Sequence, residues 1–286
     1  MGKVWITGAG GQTGRALAAR TAGKGAGFLF TSREALDLCH EKEITRFLSV
    51  HPVEAVINTA AYTAVDRAEE EPEEARKINA EAVGVLAYHA RKRGIRLIHL
   101  STDYVFDGTS RQPYRESDPV SPVNVYGQTK WEGEALMLQE APRHSAIVRT
   151  AWLYGQGNNF VNKILQLARQ RPEIEVVADQ YGSPTRAADL AEVLLYMVPR
   201  LHQKEVKTYH YTNEGICTWF DFATAIVQWS GIPCEVNPVT SARFPTPARR
   251  PAYAVLSKEA IKNDLGITIP HWKDSLDDYL AAGARL

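Results

Sequence analysis

Val4-Trp5-Ile6-Thr7-Gly8-Ala9-Gly10-Gly11-Gln12-Thr13-Gly14 opens a chain of 286 residues. Its first four residues are apolar or β-branched and read as a buried strand. Gly8, Gly11 and Gly14 then follow at intervals of three. Missing side chains permit a tight turn and let the backbone approach an anion closely. Residues 12–21 read as a helix whose free N–H groups and partial positive charge face that anion. A glycine turn of this spacing means little by itself. Placed between a strand and a helix, it predicts a dinucleotide site at Gly8, Gly11, Gln12, Thr13 and Gly14.

Working outward, further strands are expected at 28–30, 53–58, 97–101 and 146–150, with helices at 42–49, 72–93 and 126–140. Pro72 suits the first turn of its helix. Strands alternating with helices of this length predict an α/β fold, a doubly wound parallel sheet of Rossmann type. Residues 1–150 read as the dinucleotide-binding domain. Residues 151–286 read as mainly a smaller α/β lobe for substrate, with some segments returning to the first domain. Helices at 187–195 and 219–229, a loop at 180–185 and a proline-rich segment at 244–251 belong to that half. Ligands of such folds bind beyond the C-terminal ends of the strands.

The end of the second strand bears on the choice of cofactor. Proteins that prefer NADH commonly place a carboxylate there. Here the run is Phe30-Thr31-Ser32-Arg33. Arg33 can pair with a 2′-phosphate and Ser32 can hydrogen-bond it, so NADPH is expected, with NADH the alternative. The competing view of Arg33 is a solvated surface arginine. Asp37 and Leu38 are placed beside the adenine.

Composition excludes other classes. Thirty-three basic residues balance 33 acidic ones, and no basic stripe suggests nucleic acid. Three widely spaced cysteines, Cys39, Cys217 and Cys234, form neither a disulfide framework nor a zinc pattern. No stretch approaches the roughly 18–20 apolar residues of a membrane helix, and no signal peptide is read. A cytoplasmic chain with no metal site and no membrane partner is expected.

Tyr126 and Lys130 stand four residues apart at the start of a helix, on one face. An ammonium beside a phenol favours the phenolate and brings proton exchange nearer neutrality. Tyr126 then protonates an alkoxide formed as hydride reaches a carbonyl carbon. Thr102, at the end of the fourth strand, supplies a second donor to the same oxygen. Tyr-x-x-x-Lys is common by chance. What gives it weight is the order of glycine turn, strand-end hydroxyl and Tyr/Lys helix.

These segments resemble the dTDP-4-dehydrorhamnose reductase family, within the extended short-chain dehydrogenases. The likeness runs through Gly8–Gly14, Asn58–Asp66, Ser101-Thr102-Asp103-Tyr104-Val105-Phe106, Asn124–Lys130, Arg149-Thr150-Ala151-Trp152, Gly157-Asn158-Asn159-Phe160, Asp179–Thr185 and Pro245–Pro251. The last two blocks are the more specific. The resemblance implies a cofactor lying along Gly8–Gly14, Ser32, Arg33, Asp37, Leu38, Ala60, Ala61 and Tyr62. It implies Thr102, Tyr126 and Lys130 as the catalytic set, with Tyr126 and Lys130 also against the cofactor, Lys130 on its nicotinamide ribose, and Thr102 and Tyr126 also against the substrate. Asp103, Tyr104 and Trp152 would meet the sugar, with hydride delivered to C4 of dTDP-4-dehydro-L-rhamnose or a related nucleotide sugar.

Alternatives stand beside several of these. Asn159 either touches ligand or caps the following helix, and so does Asn158. Arg249 and Arg250 either hold the substrate diphosphate or form surface ion pairs. His99 reads as a core histidine. Some relatives form a magnesium-linked dimer through a carboxylate after the glycine loop. Gly14-Arg15-Ala16-Leu17 has no acid there, so no magnesium is expected and monomer and homodimer both stay open. Related epimerases and dehydratases share the glycine loop, but the dehydratases carry a glutamate where this chain has Tyr104. A non-catalytic NADP-binding regulatory subunit is the other alternative.

Overall fold

Five short strands of the computed structural model, which describes residues 2–283, follow the alternation read from the sequence. They are β1 (Lys3–Thr7), β2 (Phe28–Thr31), β3 (Val53–Asn58), β4 (Arg96–Thr102) and β5 (Ala146–Thr150). A sixth, Lys207–His210, completes a parallel sheet in the order sixth-β5-β4-β3-β1-β2. The chain leaves β1 toward β2 and then crosses to the other side of β1 for β3. The strand order therefore reverses between β1 and β3, which opens a crevice at their C-terminal ends. The fold is a doubly wound, Rossmann-like α/β sheet.

The strands bury both faces, so their side chains alternate between two cores. Val4, Ile6, Ile57, Ile98 and Val148 meet Leu17 of α1 (Gln12–Thr21) and Leu190, Leu194 and Met197 of the helix Ala187–Met197. Trp5, Val56, Leu97 and Ile147 meet Ile44 and Leu48 of α2 (Glu41–Val50). Val83 and Leu86 of the helix Ala82–Arg93 and Met137 of the helix Val125–Glu140 close that second face. Each such large side chain contributes about 1.5–3 kcal/mol by leaving water.

A third core lies outside the sheet. Val161, Ile164 and Leu165 of the helix Phe160–Gln170 pack on Phe222 and Ile226 of Trp219–Ser230 and Leu276 of Trp272–Ala281. A parallel strand pair, Glu173–Val177 with Glu235–Val239, adds Ile174 and Val176. The sixth strand and the helix Ala187–Met197 come from the second half of the chain yet pack on the sheet.

The stretch expected as one helix over 72–93 is three pieces: Pro72–Arg76, a π-helical turn Lys77–Glu81, and Ala82–Arg93. The widened turn carries Asn79 inward. Its Oδ1 accepts from Tyr62 N (2.9 Å), and its Nδ2 donates to Tyr62 O (3.1 Å) and Thr129 Oγ1 (3.1 Å). Wide turns of this kind commonly serve a site. Here the turn ties the segment after β3 to the helix Val125–Glu140.

Candidate active site

The glycine turn sits at the reversal of strand order, and its shape explains two glycines. Gly8 has φ +66°, and a Cβ there would lie 2.7 Å from Ala60 N. A Cβ on Gly14 would lie 2.3 Å from Gly8 O, so only glycine lets α1 pack this close to the turn. No side chain caps α1 at Gly11, which leaves its first N–H groups open to an anion. A cavity of about 800 Å3 extends from there past Gln12, Thr13, Ser32, Arg33, Asp37, Leu38, Ala60, Ala61 and Tyr62 to Asn158. The residues from the glycine turn to Tyr62 expected along the cofactor line one crevice, with Gly14 packed behind the turn; Tyr126 and Lys130, also expected at the cofactor, do not line it. Arg33 is not free there: it pairs with Glu74 (2.9 Å) and lies 3.7 Å from Asp37.

Asn124 starts the helix Val125–Glu140. Its Oδ1 accepts from Gly127 N (2.8 Å), while its Nδ2 donates to Arg249 O (2.8 Å). One side chain therefore fixes both the helix start and the proline-rich segment. Tyr126, Lys130 and Glu134 then follow at four-residue spacing. Glu134 is held by a buried ion pair with Arg149 on β5 (2.7 Å) and by the Ser101 hydroxyl on β4. That pair sets the rotation of the helix over the strand ends.

Thr102 ends β4. Its hydroxyl donates to Asp103 Oδ1 (2.9 Å), accepts from Tyr104 N (3.2 Å), and lies beside the Tyr126 phenol, whose ionised form it favours. Burial outweighs that help and pushes the phenol up to about 12. The expectation of a phenol brought down by Lys130 is not met in this arrangement. The Lys130 amine is turned to Leu100 O (2.6 Å) and to His99 Nε2 (3.2 Å) instead. Burial brings Lys130 itself down to about 8. Asp103 is also buried; its carboxyl is pushed up to about 7, and its Oδ2 meets no partner. Such an orphaned buried oxygen is costly unless something else satisfies it.

Tyr104 meets Tyr126 edge to face, with ring centroids 5.7 Å apart. Trp152 holds φ +46°, a strained conformation for a side chain of its size, costing about 1–2 kcal/mol. Its ring stacks on Trp219 at 3.6 Å and lies against Gly182, where a Cβ would come within 2.5 Å of it. Asn159, weighed as a ligand contact or a cap, caps the helix Phe160–Gln170: its Oδ1 accepts from Asn162 N (3.1 Å) and its Nδ2 donates to Gly157 O (3.0 Å). Arg250 pairs with Asp66 (2.8 Å). The exposed Arg249 faces a second cavity of about 560 Å3, shared with Tyr181 and Tyr253.

Asn58, Asn79, Asn124 and Glu134 hold the site; the sequence reading quoted Asn58 and Asn124 within its resemblance blocks without giving them a role, and Asn79 and Glu134 escaped it. Only Asn124 left a local signal, an Asn immediately before a helical stretch. The other three act through partners that are distant in sequence.

The RmlD substrate binding domain family model matches residues 2–285. The spore coat polysaccharide biosynthesis protein SpsK of Bacillus subtilis is 38% identical, covering 98% of this chain and 97% of its own. A dTDP-4-dehydrorhamnose reductase of Burkholderia thailandensis is 39% identical over 95% of both chains. The solved dTDP-4-dehydrorhamnose reductase of Bacillus anthracis, in complex with NADP, is 34% identical with a TM-score of 0.93, covering 99% of this chain and all of its own. No helix among the described residues is long and apolar enough to cross a membrane. A match of this extent, with relatives at these identities, means that the chain belongs to the RmlD substrate binding domain family, that of the dTDP-4-dehydrorhamnose reductases it resembles.

Proposed function

We propose that this chain uses NADPH to reduce the C4 keto group of dTDP-4-dehydro-L-rhamnose, giving dTDP-L-rhamnose. What supports this reading is the grouping of Thr102 at the end of β4 with Tyr126 and Lys130 on the helix Val125–Glu140: Thr102 lies beside the Tyr126 phenol, and Lys130 reaches Leu100 O. The crevice of the glycine turn fits a dinucleotide: backbone replaces side chains at Gly8 and Gly14, and the N-terminus of α1 is uncapped. The Bacillus anthracis relative holds NADP. Arg33 and Ser32 would take the 2′-phosphate, Arg33 by exchanging Glu74 for it.

Bound in this crevice, NADPH would supply the hydride. Tyr126 gives its phenolic proton to the carbonyl oxygen as that oxygen becomes an alkoxide. A phenol near 12 stays protonated at neutral pH and is ready as the acid. The Thr102 hydroxyl donates a hydrogen bond to the same oxygen. Lys130 would hold the cofactor ribose and, as the ammonium that dominates at neutral pH, would lend positive charge to the phenolate left behind. On the sugar side, a substrate hydroxyl would satisfy Asp103 Oδ2, and the Tyr104 and Trp152 rings would wall the hexose. Arg249 would face the diphosphate. Residues 151–286, apart from the segments on the sheet, form the substrate lobe in this reading.

The test is NADPH oxidation, followed by absorbance, with dTDP-4-dehydro-L-rhamnose present. Tyr126→Phe should lower kcat at least about 100-fold with NADPH binding retained. Unchanged turnover would remove Tyr126 as the acid. No turnover by folded wild-type protein would favour a non-catalytic binding role.

A further inference from the structure

Four buried side chains form one hydrogen-bonded line across the strand ends. Thr7 Oγ1 donates to Asn58 Oδ1 (2.6 Å), Asn58 Nδ2 lies 3.0 Å from His99 Nδ1, and His99 Nε2 lies 3.2 Å from Lys130 Nζ. None of the four is more than 1% exposed, so water does not compete for these partners.

The line has a direction. The Ala60 N–H can only donate, and it points at Asn58 Oδ1 (3.3 Å). With the Thr7 hydroxyl on the same oxygen, the Asn58 amide is fixed with its NH2 toward His99. An NH2 group facing Nδ1 requires that nitrogen to be bare. Burial and the neighbouring Lys130 amine keep the His99 ring neutral. A neutral ring with a bare Nδ1 carries its proton on Nε2. His99 therefore presents an N–H to Lys130, where a lone pair would have suited an ammonium.

We infer that His99 is a positioning residue for Lys130: its Nε2–H offers no acceptor to the ammonium, donates to the amine once a proton has left it, and holds Nζ at the Leu100 carbonyl. The other groups around Lys130 oppose or balance this. Glu134 on the same helix favours the ammonium, but its carboxylate is committed to Arg149 on β5. Leu100 O accepts from either form. Tyr126 stands one turn before Lys130 and is neutral until it gives up its proton. Burial leaves Lys130 near 8, against the pull of Glu134. An amine poised there can pass a proton on once Tyr126 has given its own away, and His99 stabilises what remains. That use of the device rests on the function proposed above, whereas the tautomer does not.

The experiment is long-range 1H–15N correlation of the histidine rings in the full 15N-labelled chain at pH 9, above the Lys130 ionisation, with His99 assigned through its backbone. The expected ring has a protonated Nε2 and a bare Nδ1. A protonated Nδ1, or a doubly protonated ring, overturns the inference whether or not the protein turns over any sugar. As a second arm, His99→Gln supplies an amide oxygen that can turn to the ammonium. The ionisation of Lys130, read in the pH profile of turnover, should rise by roughly one pH unit. A folded variant with an unmoved profile would reduce His99 to packing. If wild-type protein proves inactive, the proposed function falls and the ring nitrogens still decide this inference.

Discussion

Asp103 shows how a single residue bears a cost at this site. Its carboxyl is buried beside Thr102, and its acidity moves from 3.8 to about 7. Between about pH 4 and 7 the folded chain therefore keeps a proton that the unfolded chain has released. The associated stability is full below that window and is lost as pH rises through it. Asp103→Asn should raise stability at pH 8 by about 2–4 kcal/mol and change it little at pH 4. Denaturant melts at the two pH values check this, and an equal effect at both would contradict it. Arg33 makes a second residue-scale prediction: Arg33→Ala should weaken NADPH roughly tenfold or more while leaving NADH nearly unchanged. Equal loss of both, by fluorescence titration, would return Arg33 to its ion pair with Glu74. At this scale the sequence was legible where spacing sets position, as for Tyr126 and Lys130 on one helix. It was illegible where partners are remote. His99 read correctly as buried, but its partner Lys130 lies 31 residues away.

The helix Val125–Glu140 is the element on which the site depends. Its inner face carries Tyr126, Lys130 and Glu134, and only the last is anchored by an ion pair. Glu134→Gln leaves the Arg149 guanidinium buried without its counter-charge. A loss of about 3–5 kcal/mol in unfolding free energy is expected. A loss below 1 kcal/mol would show that packing alone sets the helix. The start of this helix was readable from Tyr126 onward, and Asn124 caps it one residue before its first turn. The π-helical turn at Lys77–Glu81 was not readable. Its residues are ordinary helix formers, and the widening answers to Tyr62 and Thr129, which lie elsewhere in the chain. Phe160–Gln170 also escaped the reading, although Asn159 was weighed as its cap. The sixth strand, Lys207–His210, lies at the sheet edge and has only four residues, Lys207-Thr208-Tyr209-His210, which give no run of apolar residues to read.

Across the whole molecule, two cores hold the parallel sheet and a third holds the outer lobe. The reversal between β1 and β3 places the glycine turn, Ala60 and the strand-end Thr102 along one rim. The proline-rich segment crosses from the outer lobe to that rim, tied by Asn124 to Arg249 O and by Asp66 to Arg250. Alternating strands and helices made the sheet legible from the first fourteen residues outward. The cut at residue 150 was less so, because later segments return to the sheet by contacts that no local pattern records. The central claim is hydride transfer to a sugar carbonyl in this crevice, and isotope transfer tests it most directly. NADPH carrying deuterium at its transferable position, incubated with the protein and dTDP-4-dehydro-L-rhamnose, should place one deuterium on C4 of the product, read by mass spectrometry and NMR. A sugar recovered without deuterium, from protein that binds both ligands, would contradict it.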